Sequence, residues 1–214
     1  MEKILYIGGI GSSSHSVETV AAALSAQFKL NVIAMSFSMA CSQRARVAQL
    51  ARESLVITHS EGILALKDTA PMELVAVAPP MPSHPLLLIG RAFPKTFALL
   101  LSGRESYERP RKLIDYHARL LLEHGLHPRY NSMMIREVAS FDVARFAVEV
   151  TMTGGKVTLG FMEHDLLFPG AHLHPHIEVA KERGVKVFEN IIGQHDEFAL
   201  YPVDVMAQMQ RLVK

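Results

Sequence analysis

Leu55-Val56-Ile57-Thr58-His59-Ser60-Glu61-Gly62 is the stretch on which the reading of this sequence turns. Its first residues are apolar and rich in branched side chains, which suits a buried strand. The run ends in a small-x-Ser-x-Gly turn, and Ile63-Leu64-Ala65-Leu66 follows at once, an apolar stretch that suits the start of a helix. A serine at the apex of a tight strand-to-helix turn projects its hydroxyl beyond the sheet. The free N–H groups and the positive end of the helix then face it. A strand end followed by a serine N-cap gives the same string, so the stretch is weighed with what lies on either side of it.

Upstream, residues 4–7 read as a buried strand that runs into Gly8-Gly9-Ile10-Gly11-Ser12-Ser13-Ser14. This loop lacks the phosphate-loop pattern, and Gly9, Gly11 and Ser14 miss the dinucleotide-binding spacing. Residues 17–28 carry apolar side chains at helical spacing, and 31–37 read as a strand. Residues 42–53 read as a helix whose Arg44, Arg46 and Arg52 form a solvated face. Residues 73–78 read as the next strand, closed by Pro79-Pro80. Strands alternating with helices over short connections predict an α/β fold with a mostly parallel, doubly wound sheet. The rhythm breaks over residues 81–150, where apolar helical stretches dominate and residues 141–150 fit either a helix or an edge strand. It resumes with a strand at 155–161, a helix at 171–184 with Pro175 in its first turn, a last strand at 185–191, a loop at 193–198 and a closing helix at 203–213. The predicted organisation is a core from residues 1–80 and 151–214 with an inserted, mainly helical cap at 81–150.

Ser60, Asp165 and His195 each follow a predicted strand, and in a parallel sheet those strand ends share one edge, where ligands bind. A serine hydroxyl is a poor nucleophile near neutral pH. A histidine that takes its proton and an aspartate that fixes the imidazole tautomer make it a good one. Asp196 and Glu163 are the fallback acids, but Asp196 adjoins His195 and reaches its Nδ1 with difficulty. His164, His172, His174 and His176 invite a zinc reading. A His-x-His-x-His run at a proline-containing helix start does not hold its rings on one face, and an H-E-x-x-H pair is absent. No metal and no cofactor is expected.

The nucleophile-elbow turn at Ser60 resembles that of the α/β-hydrolase family, with Thr58 standing where the family usually has glycine. The chain order Ser60, Asp165, His195 is also that family's order. The Asp-x-x-x-Pro loop, the helix, the last strand and the Gly-x-His loop are similar to the family's C-terminal portion. The interruption after the fourth strand falls where the family carries its cap. The resemblance implies a serine hydrolase, trimmed of the family's usual first two strands, that cleaves an ester, thioester or related acyl bond. It implies Ser60 as nucleophile, His195 as base, Asp165 as its partner, and an oxyanion hole from the backbone N–H of Glu61 and of Gly9 or Ile10. His59 and Glu61 are read as flanking residues outside the chemistry. A non-catalytic relative that binds a ligand or partner is the alternative, motivated by Thr58 and the missing strands.

The bulk numbers fit a globular protein: 214 residues, 49% hydrophobic, 20% charged, net charge +1. A net charge so near zero gives no basis for general nucleic-acid affinity. Cys41 is the single cysteine and cannot form an internal disulfide. The first apolar run is too short for a signal h-region, and the apolar tract at 85–92 is too short to span a bilayer. A cytoplasmic protein acting on a small-molecule acyl substrate is expected.

Overall fold

Branched and aliphatic residues build the sheet. The computed structural model describes residues 3–9, 12, 14–83, 136–165, 167–193, 195 and 197–211. Within them run strands β1 (Lys3–Ile7), β2 (Asn31–Met35), β3 (Leu55–His59), β4 (Glu73–Val77), β5 (Lys156–Met162) and β6 (Lys186–Ile191). They lie in the order β2-β1-β3-β4-β5-β6, and every neighbouring pair is parallel. The chain first moves outward from β1 to β2, then returns to place β3 on the other side of β1. That reversal makes the crevice between the C-terminal ends of β1 and β3 a topological switch point, where open α/β sheets bind ligands. The glycine-rich loop leaves β1 there and Ser60 leaves β3 there.

Alternation along the strands separates two cores. Ile4, Tyr6, Ile57 and Val77 pack with α1 (Ser14–Phe28) through Val17, Val20 and Leu24. Leu5, Ile7, Val56 and Leu74 face the other way, onto Ile63 and Leu66 and onto Val47 and Ala51 of a helix at Arg44–Glu53. The segment whose type the sequence left open, 141–150, contains most of a helix, Val143–Met152, capped by the Asp142 side chain. Its Val143, Phe146, Ala147 and Val150 pack into this second core. The helix runs across the expected 150/151 boundary and covers the sheet. Of the expected cap, residues 84–135 lie outside the described residues.

Several element boundaries differ from expectation for local reasons. β2 stops at Met35 because Ser36 caps a short helix, α2 (Phe37–Ser42), its Oγ accepting from Met39 N–H at 3.3 Å. The next helix, α3, therefore begins at Arg44. The residues after Ser60 form a 3₁₀ helix, Ser60–Leu66, instead of an α-helix. Seven residues against the sheet and an early turn into β4 favour the tighter coil. The helix expected over 171–184 is split into a 3₁₀ turn, Ala171–Leu173, and α5 (Pro175–Glu182), with Val143–Met152 numbered α4. Pro175 supplies no N–H, and His174 before it is extended. The expected loop at 193–198 gives way to α6 (Glu197–Leu200), which leads into α7 (Pro202–Arg211). Among the described residues, no helix is long and apolar enough to cross a membrane.

Candidate active site

The backbone at the end of β3 is bent as a tight turn requires. Ser60 sits at φ +53°, in the left-handed region that a non-glycine residue enters only when its surroundings hold it there. Gly62 makes the turn possible. A Cβ at that position would lie 2.4 Å from the Ile7 carbonyl oxygen and 2.9 Å from that of Gly8. Only a bare α-carbon lets the 3₁₀ helix press against the end of β1. The same closeness brings Gly9 beside the serine, since a Cβ on Gly9 would come within 2.9 Å of Ser60 Cβ.

The loops after β5 and β6 are joined by two backbone hydrogen bonds. Glu163 N–H donates to the Ile191 carbonyl at 2.9 Å, and His164 N–H to the Gly193 carbonyl at 3.1 Å. This clasp sets Asp165 and His195 side by side. His195 Nδ1 lies 2.7 Å from Asp165 Oδ2. The other carboxylate oxygen accepts from the N–H groups of Leu167 and Phe168 at 2.8 and 3.0 Å, which fixes the carboxylate's orientation. An ionised carboxylate only accepts, so Nδ1 carries the proton and Nε2 of the neutral ring is left as an acceptor. Ser60 Oγ lies 2.5 Å from that Nε2. Ser60, Asp165 and His195, from three separate strand ends, thus form one hydrogen-bonded chain. All three are buried.

Apolar and aromatic groups wall the imidazole. Phe168 lies 5.6 Å from it between ring centroids, and His59 lies 5.8 Å away and in turn 5.7 Å from Phe198. His59 is buried, and its Nε2 is 2.9 Å from the backbone carbonyl of His195. A carbonyl oxygen only accepts, so His59 Nε2 carries the proton and donates. The residue before the serine therefore ties β3 to the loop that carries His195. Glu61, the residue after it, accepts from Ser60 Oγ at 2.5 Å through Oε2. Both flanking residues contact this hydrogen-bonded chain directly, through partners that the sequence does not specify. The signal was their position beside the serine, but side-chain direction in a bent turn is not a property of the string.

The remaining candidates fall elsewhere. Ile10 and Asp196 lie outside the described residues. Glu163 is exposed, with His164 at 4.0 Å. His176 pairs with Asp142 at 2.6 Å, and His174 stacks edge-on against it. Among the described residues, no group of three or more histidine, cysteine, aspartate or glutamate side chains is placed to hold a metal.

No protein-family model and no curated protein matches the sequence. Solved structures match over nearly its whole length. The enol-lactonase from Burkholderia xenovorans is 12% identical, with 99% of this chain and 91% of that one covered at a TM-score of 0.60. A meta-cleavage product hydrolase from Pseudomonas fluorescens is 12% identical, with 100% and 89% covered at 0.58. A monoacylglycerol lipase from Paleococcus ferrophilus is 13% identical, with 99% and 93% covered at 0.55. Identity at this level speaks for architecture alone, and on that the neighbours agree with the parallel sheet and its switch point: the chain has the α/β-hydrolase fold.

Proposed function

We propose that this chain is a serine hydrolase that cleaves an ester, thioester or related acyl bond through an acyl-enzyme intermediate. The observation that carries the reading is the single hydrogen-bonded chain Ser60 Oγ, His195 Nε2, His195 Nδ1, Asp165 Oδ2, with spacings of 2.5 and 2.7 Å. In the reaction, Ser60 Oγ attacks the acyl carbonyl carbon as its proton passes to His195 Nε2. The carbonyl π pair moves onto oxygen. Collapse of the tetrahedral species breaks the bond to the leaving group, which takes the proton from Nε2. Water repeats the sequence on the acyl-enzyme and releases the acid. Asp165 holds the ring in the required tautomer and stabilises the imidazolium. The backbone N–H groups of Glu61 and of Gly9 or Ile10 are assigned to the oxyanion, and each such donor is worth about 3 kcal/mol of barrier. The closeness of Gly9 to Ser60 Cβ supports this assignment.

The mainly helical insertion at 81–150, which follows β4 in the chain, is assigned to a cap that shapes the substrate pocket. The single cysteine suits the reducing cytoplasm. Turnover of a panel of p-nitrophenyl esters and acyl thioesters tests the reading. Hydrolysis that drops by about 10⁴-fold or more in Ser60→Ala and His195→Gln, at unchanged fold, is the expected result. Hydrolysis that survives both substitutions contradicts it.

A further inference from the structure

The loop that carries His195 is tied towards β5. His164 N–H donates to the Gly193 carbonyl at 3.1 Å, and His195 Nδ1–H to Asp165 Oδ2 at 2.7 Å. Neither bond reaches β3, the strand that presents the nucleophile. The loop also includes Gly193 at φ +141°, where no side chain stiffens the backbone. His59 supplies a link to β3. It is the last residue of that strand, next to Ser60, and its Nε2 donates to the backbone carbonyl of His195 at 2.9 Å. The strand end that presents the serine thus also holds the backbone of its base. Packing aims this donor. His59 is 2% exposed, and its ring lies 5.7 Å from that of Phe198, which is fully buried and 6.1 Å from Tyr6. A rotamer locked by packing holds a partner group to a finer tolerance than a loop does.

Resting on the serine-hydrolase reading, we propose that His59 is a positioning residue. Through its Nε2–H it holds the His195 loop at the distance from β3 that brings His195 Nε2 within 2.5 Å of Ser60 Oγ. His59 acts through the backbone of the base and donates to no reacting atom. Its contribution is geometric, and displacing a reacting group by about 1 Å costs up to about 10²-fold in rate. The substitutions that isolate the donor follow from reach. Leucine fills space and donates nothing. Glutamine carries its amide nitrogen at the reach of Nε2, and asparagine at the shorter reach of Nδ1.

The test compares His59→Leu, His59→Gln and His59→Asn with the wild type in two readouts. One is the rate of fluorophosphonate labelling at Ser60. The other is the ¹⁵N resonance of His195 Nε2, for which Ser60→Ala supplies the position without the serine hydrogen bond. His59→Leu is expected to label about 10- to 100-fold more slowly and to move the resonance towards the Ser60→Ala position. His59→Gln is expected to restore most of both, and His59→Asn neither. Where His59→Leu fails to fold, the Gln and Asn variants, which differ by a single methylene, decide the matter between them. Wild-type rate and resonance in His59→Leu, or rescue by Asn as good as that by Gln, overturn the proposal. Wild-type protein that takes no label removes the hydrolase reading, and the resonance then decides the role of His59. A resonance moved by Leu and returned by Gln upholds His59 as the residue that places the ring, and an unmoved one overturns it.

Discussion

Thr58 stands two residues before the serine, where the turn calls for a small side chain. The structure accommodates it at a cost in hydrogen bonding. Thr58 is fully buried, and its hydroxyl has no hydrogen-bond partner among the described residues. By strand alternation its side chain lies on the Val56 face, which packs on the 3₁₀ helix. A buried hydroxyl without a partner loses its hydration and gains nothing in return. Thr58→Val keeps the branched shape and removes the stranded group. It is expected to stabilise the protein by about 1 kcal/mol, which at this chain length raises Tm by about 2–4 °C. A lower Tm for the variant would mean that the hydroxyl is satisfied. That Ser60, Asp165 and His195 come together was legible in the sequence because each follows a strand, and a parallel sheet gathers strand ends at one edge. The side-chain contacts of His59 and Glu61 were not legible. They depend on a positive φ at Ser60 and on a loop 136 residues away in the chain.

At the scale of elements, the six strands could be read from branched runs between turns, while helix boundaries shifted wherever a capping serine or a proline intervened. The largest departure concerns the element after Ser60. An apolar run promises a helix, but the string does not say that it must fit flush against the end of β1. Gly62 records that constraint, since the atoms a Cβ would strike are carbonyl oxygens of Ile7 and Gly8, which have no side-chain freedom to move aside. Gly62→Ala forces the 3₁₀ helix off β1. It is expected to cost about 1–3 kcal/mol, seen as a lower denaturant midpoint, and to slow active-site labelling because Gly9 and Ser60 separate. A variant with wild-type midpoint and labelling rate would show that the turn tolerates a side chain.

At the scale of the whole molecule, the reversal of strand order between β1 and β3 puts the glycine-rich loop, the serine and the two partner loops at one end of the sheet. The two cores hold this arrangement in place. Tyr6 lies in the middle of one of them, fully buried, 6.1 Å from the Phe198 ring. Burial pushes its phenol well above the ordinary value of 10.0. The folded state thus keeps the proton to a higher pH than the unfolded chain does. The stabilisation is complete below about pH 10 and declines as pH rises beyond it, because the unfolded state ionises first. Denaturant midpoints between about pH 9 and 11.5 are expected to fall less steeply in Tyr6→Phe than in the wild type. Parallel declines would mean that Tyr6 does not carry this alkaline sensitivity.

Labelling with a fluorophosphonate probe followed by peptide mass spectrometry reads out whether the serine at residue 60 is activated. One phosphonate adduct is expected, on Ser60, abolished in Ser60→Ala and strongly reduced in His195→Gln. Folded wild-type protein that carries no adduct on Ser60, or that labels equally well without His195, would contradict an activated Ser60.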